Sequence, residues 1–373
     1  MDVSTFQATG ATDPANDIAK RMRVADTSSR ITIAVNEDLG GGLKVGGYCE
    51  TGINIDNASY TGQADTPNAN TTTLCSREGR AFIGNDLGEV RLGRQNVWWT
   101  QGEINQVGAN LLGSDTLTNL INGGVGVYTV RGENQIKLFA GSKFGAFAGS
   151  EYYWGYMGAT GADFTTTSTT GESSVDRNGK YHGFKVNYTQ GPWLGMIDYQ
   201  ASFNSPTSAV GQLTGAAGSA AAGNAVNAVS YNRHATKYGV GYKYGGESLL
   251  SLQYWQKDRS RADGTGTVSR DGGYGVVLNH DAGGGYVLVA QYGVANKRKF
   301  DDNTVQTENG AKGYTLGGLK RLSKRTHLYT AYHVLNNGAA GAFNMAGGNY
   351  SSVAGVGAGS TVKMLAVGMV HNF

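Results

Sequence analysis

The side chains that most often do chemistry in proteins are scattered through this sequence. No two histidines have the spacing of paired metal ligands, and the two cysteines also lack it. No serine lies in the strand–turn–helix elbow of a hydrolase, and no helical pattern follows the glycine-rich runs at 239–241 and 355–357. The sequence therefore predicts no enzymatic activity, no metal site and no cofactor. The six histidines are His182, His234, His280, His327, His333 and His371.

Composition narrows the class of protein. Charged residues make up 16% of the 373 residues and the net charge is +3, so the clustered basic surface of a nucleic-acid binder is missing. The 21 Tyr, 11 Phe and 5 Trp are too many aromatic residues for a disordered chain. No apolar run approaches the roughly 18 residues that a membrane helix needs. With 59 Gly and 4 Pro, the chain is expected to be all-β and to form a single domain over 1–373.

Alternation of polar and apolar residues indicates the strands. The segments 29–36, 184–189, 197–202 and 237–244 each place apolar residues at every second position. This period of two is typical of strands with one polar and one apolar face.

The connections between these strands alternate between short and long. Short turns on one rim and long loops on the other predict an antiparallel up-and-down sheet of about sixteen strands. The short connections are 37–40, 85–88, 191–192, 245–248, 281–284 and 323–325, and the long ones include 56–73, 160–178, 205–232, 297–311 and 337–359.

The same alternation fits a soluble β-protein and a membrane barrel. Sixteen strands, however, enclose a lumen too wide for side chains to fill, so the interior must hold water. Tyrosines near strand ends fit the aromatic girdles of an outer-membrane barrel, although they also fit a soluble β core. These tyrosines are Tyr181, Tyr188, Tyr286, Tyr292, Tyr329 and Tyr332.

Five stretches resemble the general porins of Gram-negative bacteria, of the beta-proteobacterial and neisserial type. They are NEDLGGGLK (36–44), GRAFIG (79–84), VRLGRQ (90–95), RGENQIK (131–137) and VGMVHNF (367–373), in matching order over nearly the whole chain. The resemblance implies a sixteen-stranded transmembrane β-barrel whose long third loop folds into the lumen. It also implies a homotrimer in the outer membrane, in contact with lipid and lipopolysaccharide, that passes small polar or anionic solutes.

The resemblance also implies where the pore is narrowest. The third loop maps to about 97–124, where Glu103 and Asp115 are the only acidic residues. Arg30, Arg94 and Arg131 fall on the family's basic wall positions, and Lys137 is a further candidate. Acid facing base across a lumen makes a transverse field, and an excess of cations favours anions.

Strand parity tests these basic residues. Arg30 alternates with Ile31 and Ile33, so it is expected to face the lumen. Arg131 and Lys137 likewise share a face opposite Ile136 and Leu138. For each of these residues the alternative is a solvated charge away from the narrowest point.

Arg94 does not fit this alternation. It shares parity with the apolar Val90 and Leu92, and a bulge near Gly93 would have to redirect it.

Two other functions stay open at this point. Trp98 and Trp99 in the third loop fit a substrate-specific channel for organic anions. A surface β-protein that serves adhesion or assembly without a pore is the second alternative.

The two ends of the chain carry separate expectations. Apolar residues at every second position lead to Phe373, and the resemblance implies that the outer-membrane assembly machinery reads this strand. At the start, only 2–7 precede a loop and no secretory signal is seen, so we expect the beginning of the first strand to be missing.

Cys49 and Cys75 flank the loop at 56–73, which the family uses for subunit contact. If residues near 41 and 84 are neighbours at the turn, antiparallel pairing places position 49 opposite about position 76. The sequence therefore predicts a disulfide, since the cell exterior is oxidising. Two free thiols are the alternative if Cys75 points to the opposite face.

Overall fold

The computed structural model describes residues 2–26, 29–53, 74–75, 77–97, 111–113, 115–122, 131–157, 179–205, 231–261, 268–300, 308–345 and 356–372. These residues form one antiparallel sheet of eighteen strand segments, with one α-helix and two short 3₁₀ helices. None of the helices in these ranges has the length and apolar character needed to cross a membrane.

The strands are β1 (Asp2–Thr9), β2 (Ile18–Ala25), β3 (Arg30–Gly40), β4 (Leu43–Gly52), β5 (Glu78–Gly84), β6 (Gly88–Asn96), β7 (Arg131–Ala140), β8 (Glu151–Met157), β9 (Gly179–Gln190), β10 (Trp193–Ser205), β11 (Tyr231–Gly245), β12 (Ser248–Arg261), β13 (Ser269–Gly283), β14 (Tyr286–Ala295), β15 (Lys299–Phe300), β16 (Ala311–Arg321), β17 (Thr326–Asn337) and β18 (Thr361–His371). The helix α1 is Thr116–Asn122, and the 3₁₀ helices are Pro14–Asn16 and Ser142–Phe147.

Most strands pair with their neighbours along the chain, although no ladder joins β2 to β3 within the described residues. The ladders run without interruption from β3 to β14, and β14 then pairs directly with β16. From β16 they continue through β17 and β18 to β1 and then β2. The first and last strands of the chain therefore lie side by side.

The described residues contain two more strand segments than the sixteen predicted. One of them, β15, has only two residues and pairs with β13 outside the main series. The other arises at the start, where the predicted fragment of a first strand forms β1 and the following residues form β2. Because β1 lies between β18 and β2, its backbone groups find partners on both sides, which the alternation of residue types does not reveal.

The sheet has one apolar and one polar face, and their exposure is the reverse of that in a water-soluble protein. On β12, Leu252 is 56% exposed whereas its neighbour Gln253 is 3% exposed. Ser251 and Lys257 are also buried, and Leu250 is also exposed. We call the face of Leu252 the outer face and the face of Gln253 the inner face. Polar side chains collected inside and apolar ones outside are the arrangement of a barrel in lipid.

The outer face carries an apolar band with lysines at its two edges. On β16 this face runs from the exposed Lys312 through Tyr314 and Leu316 to Lys320. Lys320 Nζ lies 3.9 Å from the centre of the Tyr286 ring and donates a hydrogen bond to a backbone carbonyl oxygen. At about 3.4 Å per residue the band from Lys312 to Lys320 is about 27 Å long along the strand. With the strand tilt of about 35–45° of an outer-membrane barrel, its height is about 19–22 Å, close to the apolar band of about 25 Å on such barrels.

A disulfide joins Cys49 of β4 to Cys75, with the two Cα atoms 4.6 Å apart. The register differs from the prediction, because Cys49 pairs with Gly79 rather than with a residue near 76. Cys75 reaches Cys49 from a turn before β5, where its φ of 62° is in the left-handed region. Its backbone N–H donates to Thr51 Oγ1 at 2.8 Å, which holds the turn against β4.

We expect no reactive thiol in protein that is denatured without reduction, and two per chain after reduction. The bond closes a loop of about 26 residues, so Cys49→Ser should lower the free energy of unfolding by about 3–4 kcal/mol on the chain-entropy estimate. Thiol titration checks the first expectation and urea unfolding the second. Two reactive thiols in the unreduced chain would contradict the bridge.

Candidate functional site

Three arginines surround one buried carboxylate on the inner face. Glu50 Oε1 lies 2.7 Å from Arg77 Nε and 3.6 Å from Arg131 Nη2, and Glu50 Oε2 lies 3.5 Å from Arg30 Nε. Arg30 opens β3, Arg131 opens β7, and Arg77 directly precedes β5. The sheet thus brings together two residues that the sequence predicted, Arg30 and Arg131, with one that it missed.

These three arginines differ in their access to solvent. The Arg30 side chain is 37% exposed, whereas those of Arg77 and Arg131 are 5% and 2% exposed. Arg30 is therefore the guanidinium best placed to meet a solute, while Glu50 and its buried partners hold one another in position.

A second acidic residue, Glu78, extends this group across β4 and β5. Glu50 and Glu78 are cross-strand partners, and so are Tyr48 and Arg80. Arg80 pairs with Glu78, and its guanidinium lies 4.1 Å from the centre of the Tyr48 ring. The Asn96 side chain also donates to Glu78. Arg80 therefore lies on the inner face with Glu50.

Lys137 belongs to the same network. Its Nζ donates to Glu151 Oε2 at 2.9 Å and to the Asn96 backbone oxygen at 2.5 Å. Lys185 Nζ lies 4.0 Å from Glu151 Oε1. A buried lysine needs such partners, because an unpaired charge away from water is costly.

We call this group the wall cluster. Six cationic and three acidic side chains give it a formal net charge of +3, and four of the cations are arginines, which stay charged at any relevant pH. Such a surface attracts anions, and the guanidinium forks suit carboxylate and phosphate groups. Its members are Arg30, Arg77, Arg80, Arg131, Lys137 and Lys185 with Glu50, Glu78 and Glu151.

Arg94 lies differently from the other predicted arginines. Its partner in the ladder is Gly79, which continues the outer-face pairing of Leu92 with Ala81. A bulge is present, but its extra residue lies in β7, where Asn134 has a φ of 46°, and not in β6. The register thus places Arg94 on the outer face of β6. A contribution of Arg94 to the constriction stays a prediction.

The predicted loop residue Asp115 is buried at the start of α1. Its carboxylate accepts hydrogen bonds from Thr118 N at 2.6 Å and from Thr118 Oγ1 at 2.8 Å, which is how an aspartate caps a helix. Its part in a transverse field stays a prediction. Glu103, Trp98, Trp99 and Phe373 lie outside the described residues.

The helix α1 packs on the inner face over three glycines. Gly275, Gly293 and Gly313 are successive cross-strand partners on β13, β14 and β16. A Cβ atom at Gly293 would lie 2.9 Å from methyl groups of both Leu117 and Leu120, and one at Gly275 would lie 2.4 Å from Leu117. These glycines form a trough, which we call the glycine trough, that leaves room for the apolar side of α1.

Polar groups of the wall hold the segment before and at the start of α1. Thr315 Oγ1 accepts from Thr116 N, and Gln291 Oε1 accepts from Leu117 N, both at 3.1 Å. These bonds satisfy N–H groups that have no partner within a helix. His327 Nε2 lies 3.1 Å from the Leu111 backbone oxygen.

All three acidic members of the wall cluster were missed by sequence reasoning, as were Arg77, Arg80 and Lys185. For Glu50 a signal was available, since it alternates with Cys49 and Thr51 on β4 and shares parity with Tyr48. Arg77 precedes its strand, so parity says nothing about its direction. Cross-strand partners such as Glu78 follow only from the register, which local patterns do not determine.

Comparison with known proteins decides the family. The family model described as Gram-negative porin matches residues 2–340. The chain belongs to the Gram-negative porin family. It is 26% identical over 352 residues to outer membrane porin protein 32 of Delftia acidovorans, which covers 93% of this chain and 85% of the relative.

Solved structures share the fold of this porin. The anion-selective porin from Comamonas acidovorans aligns with 100% of this chain and 97% of its own, at 23% identity and a TM-score of 0.64. The trimer form of OmpT from Vibrio cholerae aligns with 100% and 97% of the chains, at 11% identity and a TM-score of 0.62. This porin is thus an outer-membrane channel protein, in agreement with its apolar outer face.

Filling the glycine trough should reduce the current through this porin. Gly293→Val places methyl groups where Leu117 and Leu120 now lie, and such overpacking should cost the docking of α1 about 1–3 kcal/mol. The helix should move away from the wall and lower the single-channel conductance in planar bilayers.

The matched control is Gly195→Val, on the outer face of β10, where a Cβ atom would lie 3.4 Å from its nearest neighbour, Tyr188. This control should conduct like the wild type. Equal conductance for both variants would show that the trough does not seat the helix.

Proposed function

We propose that this porin is an anion-preferring diffusion channel for small hydrophilic solutes. In this proposal the wall cluster and the loop that carries α1 face each other across a water-filled lumen. The observation that carries it is the gathering of Arg30, Arg77 and Arg131 around the single carboxylate of Glu50. Three guanidinium groups on one carboxylate leave an excess of positive charge at this point of the wall.

The size of the electrostatic effect suits conduction. Two unit charges 4 Å apart interact by about 1 kcal/mol in water and by about 4 kcal/mol at the effective dielectric constant of a protein surface. A net positive wall in this range favours anions over cations severalfold or more. The attraction still lets ions leave, as permeation requires.

The relatives support the same preference and suggest an assembly. The structural neighbour from Comamonas acidovorans is named as anion-selective, and the Vibrio cholerae neighbour was solved in a trimer form. We infer a homotrimer for this porin, embedded in outer-membrane lipid and lipopolysaccharide. Its terminal strand with Phe373 is the segment that we expect the barrel-assembly machinery to read.

We propose that the barrel closes with about sixteen strands. The ladder from β14 to β16 bypasses the two-residue β15, so β15 is not part of the wall. Seventeen strand segments then remain, one more than proposed, because β1 and β2 lie side by side next to β18. Closure between β2 and β3 would leave no strand edge in lipid. In this arrangement the loop with α1 is the third long loop, folded into the lumen at about 97–124.

Replacing Arg131 should weaken the anion preference. In a salt gradient across a planar bilayer, the wild-type reversal potential should have the sign of anion selectivity, and Arg131→Ser should shift it toward zero. The shift should be larger near 0.01 M salt, where the Debye screening length is about 30 Å, than near 1 M salt, where it is about 3 Å.

The charge-matched control is Lys312→Ser, which removes an exposed lysine from the outer face. It should leave the reversal potential unchanged. Cation selectivity in the wild type would overturn the proposal, and saturable block of the current by one class of organic anion would favour a substrate-specific channel instead.

A further inference from the structure

The structure assigns Lys257 as the residue that positions α1 on the inner wall and thereby keeps the opening of the channel constant. This inference rests on the proposed function, since it takes the loop with α1 as the element that narrows the lumen. Lys257 is distant in sequence from both the loop and the wall cluster, and no pattern of the sequence marks it.

Lys257 contacts the carbonyl end of α1. Its Nζ donates to the Ile121 backbone oxygen at 2.9 Å. Ile121 is the last but one residue of α1, so its carbonyl is among the four that have no partner within the helix. Thr315 and Gln291 hold the opposite end through the N–H groups of Thr116 and Leu117.

A lysine at this position also has the favourable charge. The carbonyl end of a helix carries partial negative charge, which a cation stabilises, and burial strengthens the interaction. The Lys257 side chain is 1% exposed. Asp115 caps the other end with a negative charge, so each end of α1 faces a side chain whose charge is opposite to its own partial charge.

Asp271 pairs with Lys257 from the neighbouring strand. The two residues are direct cross-strand partners on β12 and β13, and Asp271 Oδ1 lies 3.4 Å from Lys257 Nζ. One ammonium group therefore links the helix end to two strands of the wall. The apolar side of α1 rests in the glycine trough beside it, where contacts are nonpolar and fix direction less strictly than a hydrogen bond.

Loss of Lys257 should leave the barrel intact and release one end of α1. The released end should move in and out of the lumen, and the open channel should then switch between conductance levels. We expect Lys257→Met to raise the frequency of such transitions at least severalfold in single-channel recordings. Lys257→Arg, which keeps the charge and the donors, should restore a steady current.

The matched control is Lys237→Met. Lys237 is also 1% exposed on the inner face, lies on the neighbouring strand β11 and pairs with Asp198 at 4.0 Å. The Lys237→Met variant loses the same charge from the inner face, so its reversal potential should shift. Its current should nevertheless stay as steady as that of the wild type.

Failure of this inference is distinguishable from failure of the proposed function. Absence of channels in the wild type would contradict the proposed function. A conducting wild type with an equally steady Lys257→Met channel, or an equally unsteady Lys237→Met channel, would overturn the role of Lys257. If Lys257→Met does not insert into the membrane, Lys257→Gln, which keeps a donor without the charge, should be recorded beside Lys237→Met instead. The same results would then support or overturn the role of Lys257.

Discussion

The need to keep charge and unpaired backbone groups out of hydrocarbon controls the whole structure. A strand in lipid must pair on both sides, and the ladders from β3 round to β2 satisfy this along almost the entire sheet. The same need leaves apolar side chains on the outer face and sends charged ones inward. Buried residues such as Asp198 and Lys237 are found inside, while Leu252 and Leu288 are exposed.

Crowding on the inner face then accounts for the wall cluster. Charges collected on the inside of a sheet are removed from bulk water and must find partners, and carboxylates alternate with cations from Glu50 to Glu151. Because the wall cluster has six cationic and three acidic side chains, the excess charge is positive. A positive wall follows from the count of charges, and its position follows from the register that brings Arg30 and Arg131 to Glu50.

Some of the glycines in the strands make room for α1 on the inner face. Glycine is ordinarily unfavourable within a strand, because it loses more conformational freedom on folding than other residues. Gly275, Gly293 and Gly313 lie in one cross-strand row, where α1 takes up the space that side chains would fill. The loop segment is thus placed by three features together, namely the trough, the polar anchors at its start and Lys257 at its end.

The sequence predicted the face on which a residue lies better than the neighbours it meets. Alternation placed Arg30 and Lys137 on the inner face, since the period of a strand is a local property. It missed Arg77, and it was three residues wrong in the register at Cys49, because bulges and turns shift pairings between distant segments. The same holds for β7, where the left-handed Asn134 adds one residue that no local pattern marks. The glycine trough and Lys257 depend on contacts between segments more than a hundred residues apart.

The most direct test of this account is to replace the charge of Arg30 chemically. Arg30→Cys channels should lose anion preference, regain it after reaction with a positively charged thiol reagent, and turn toward cation preference with a negatively charged one. Leu138→Cys, on the outer face, should respond to neither reagent. Reversal potentials of Arg30→Cys that stay the same with both reagents would contradict the claim that the wall cluster lines the path of the ions.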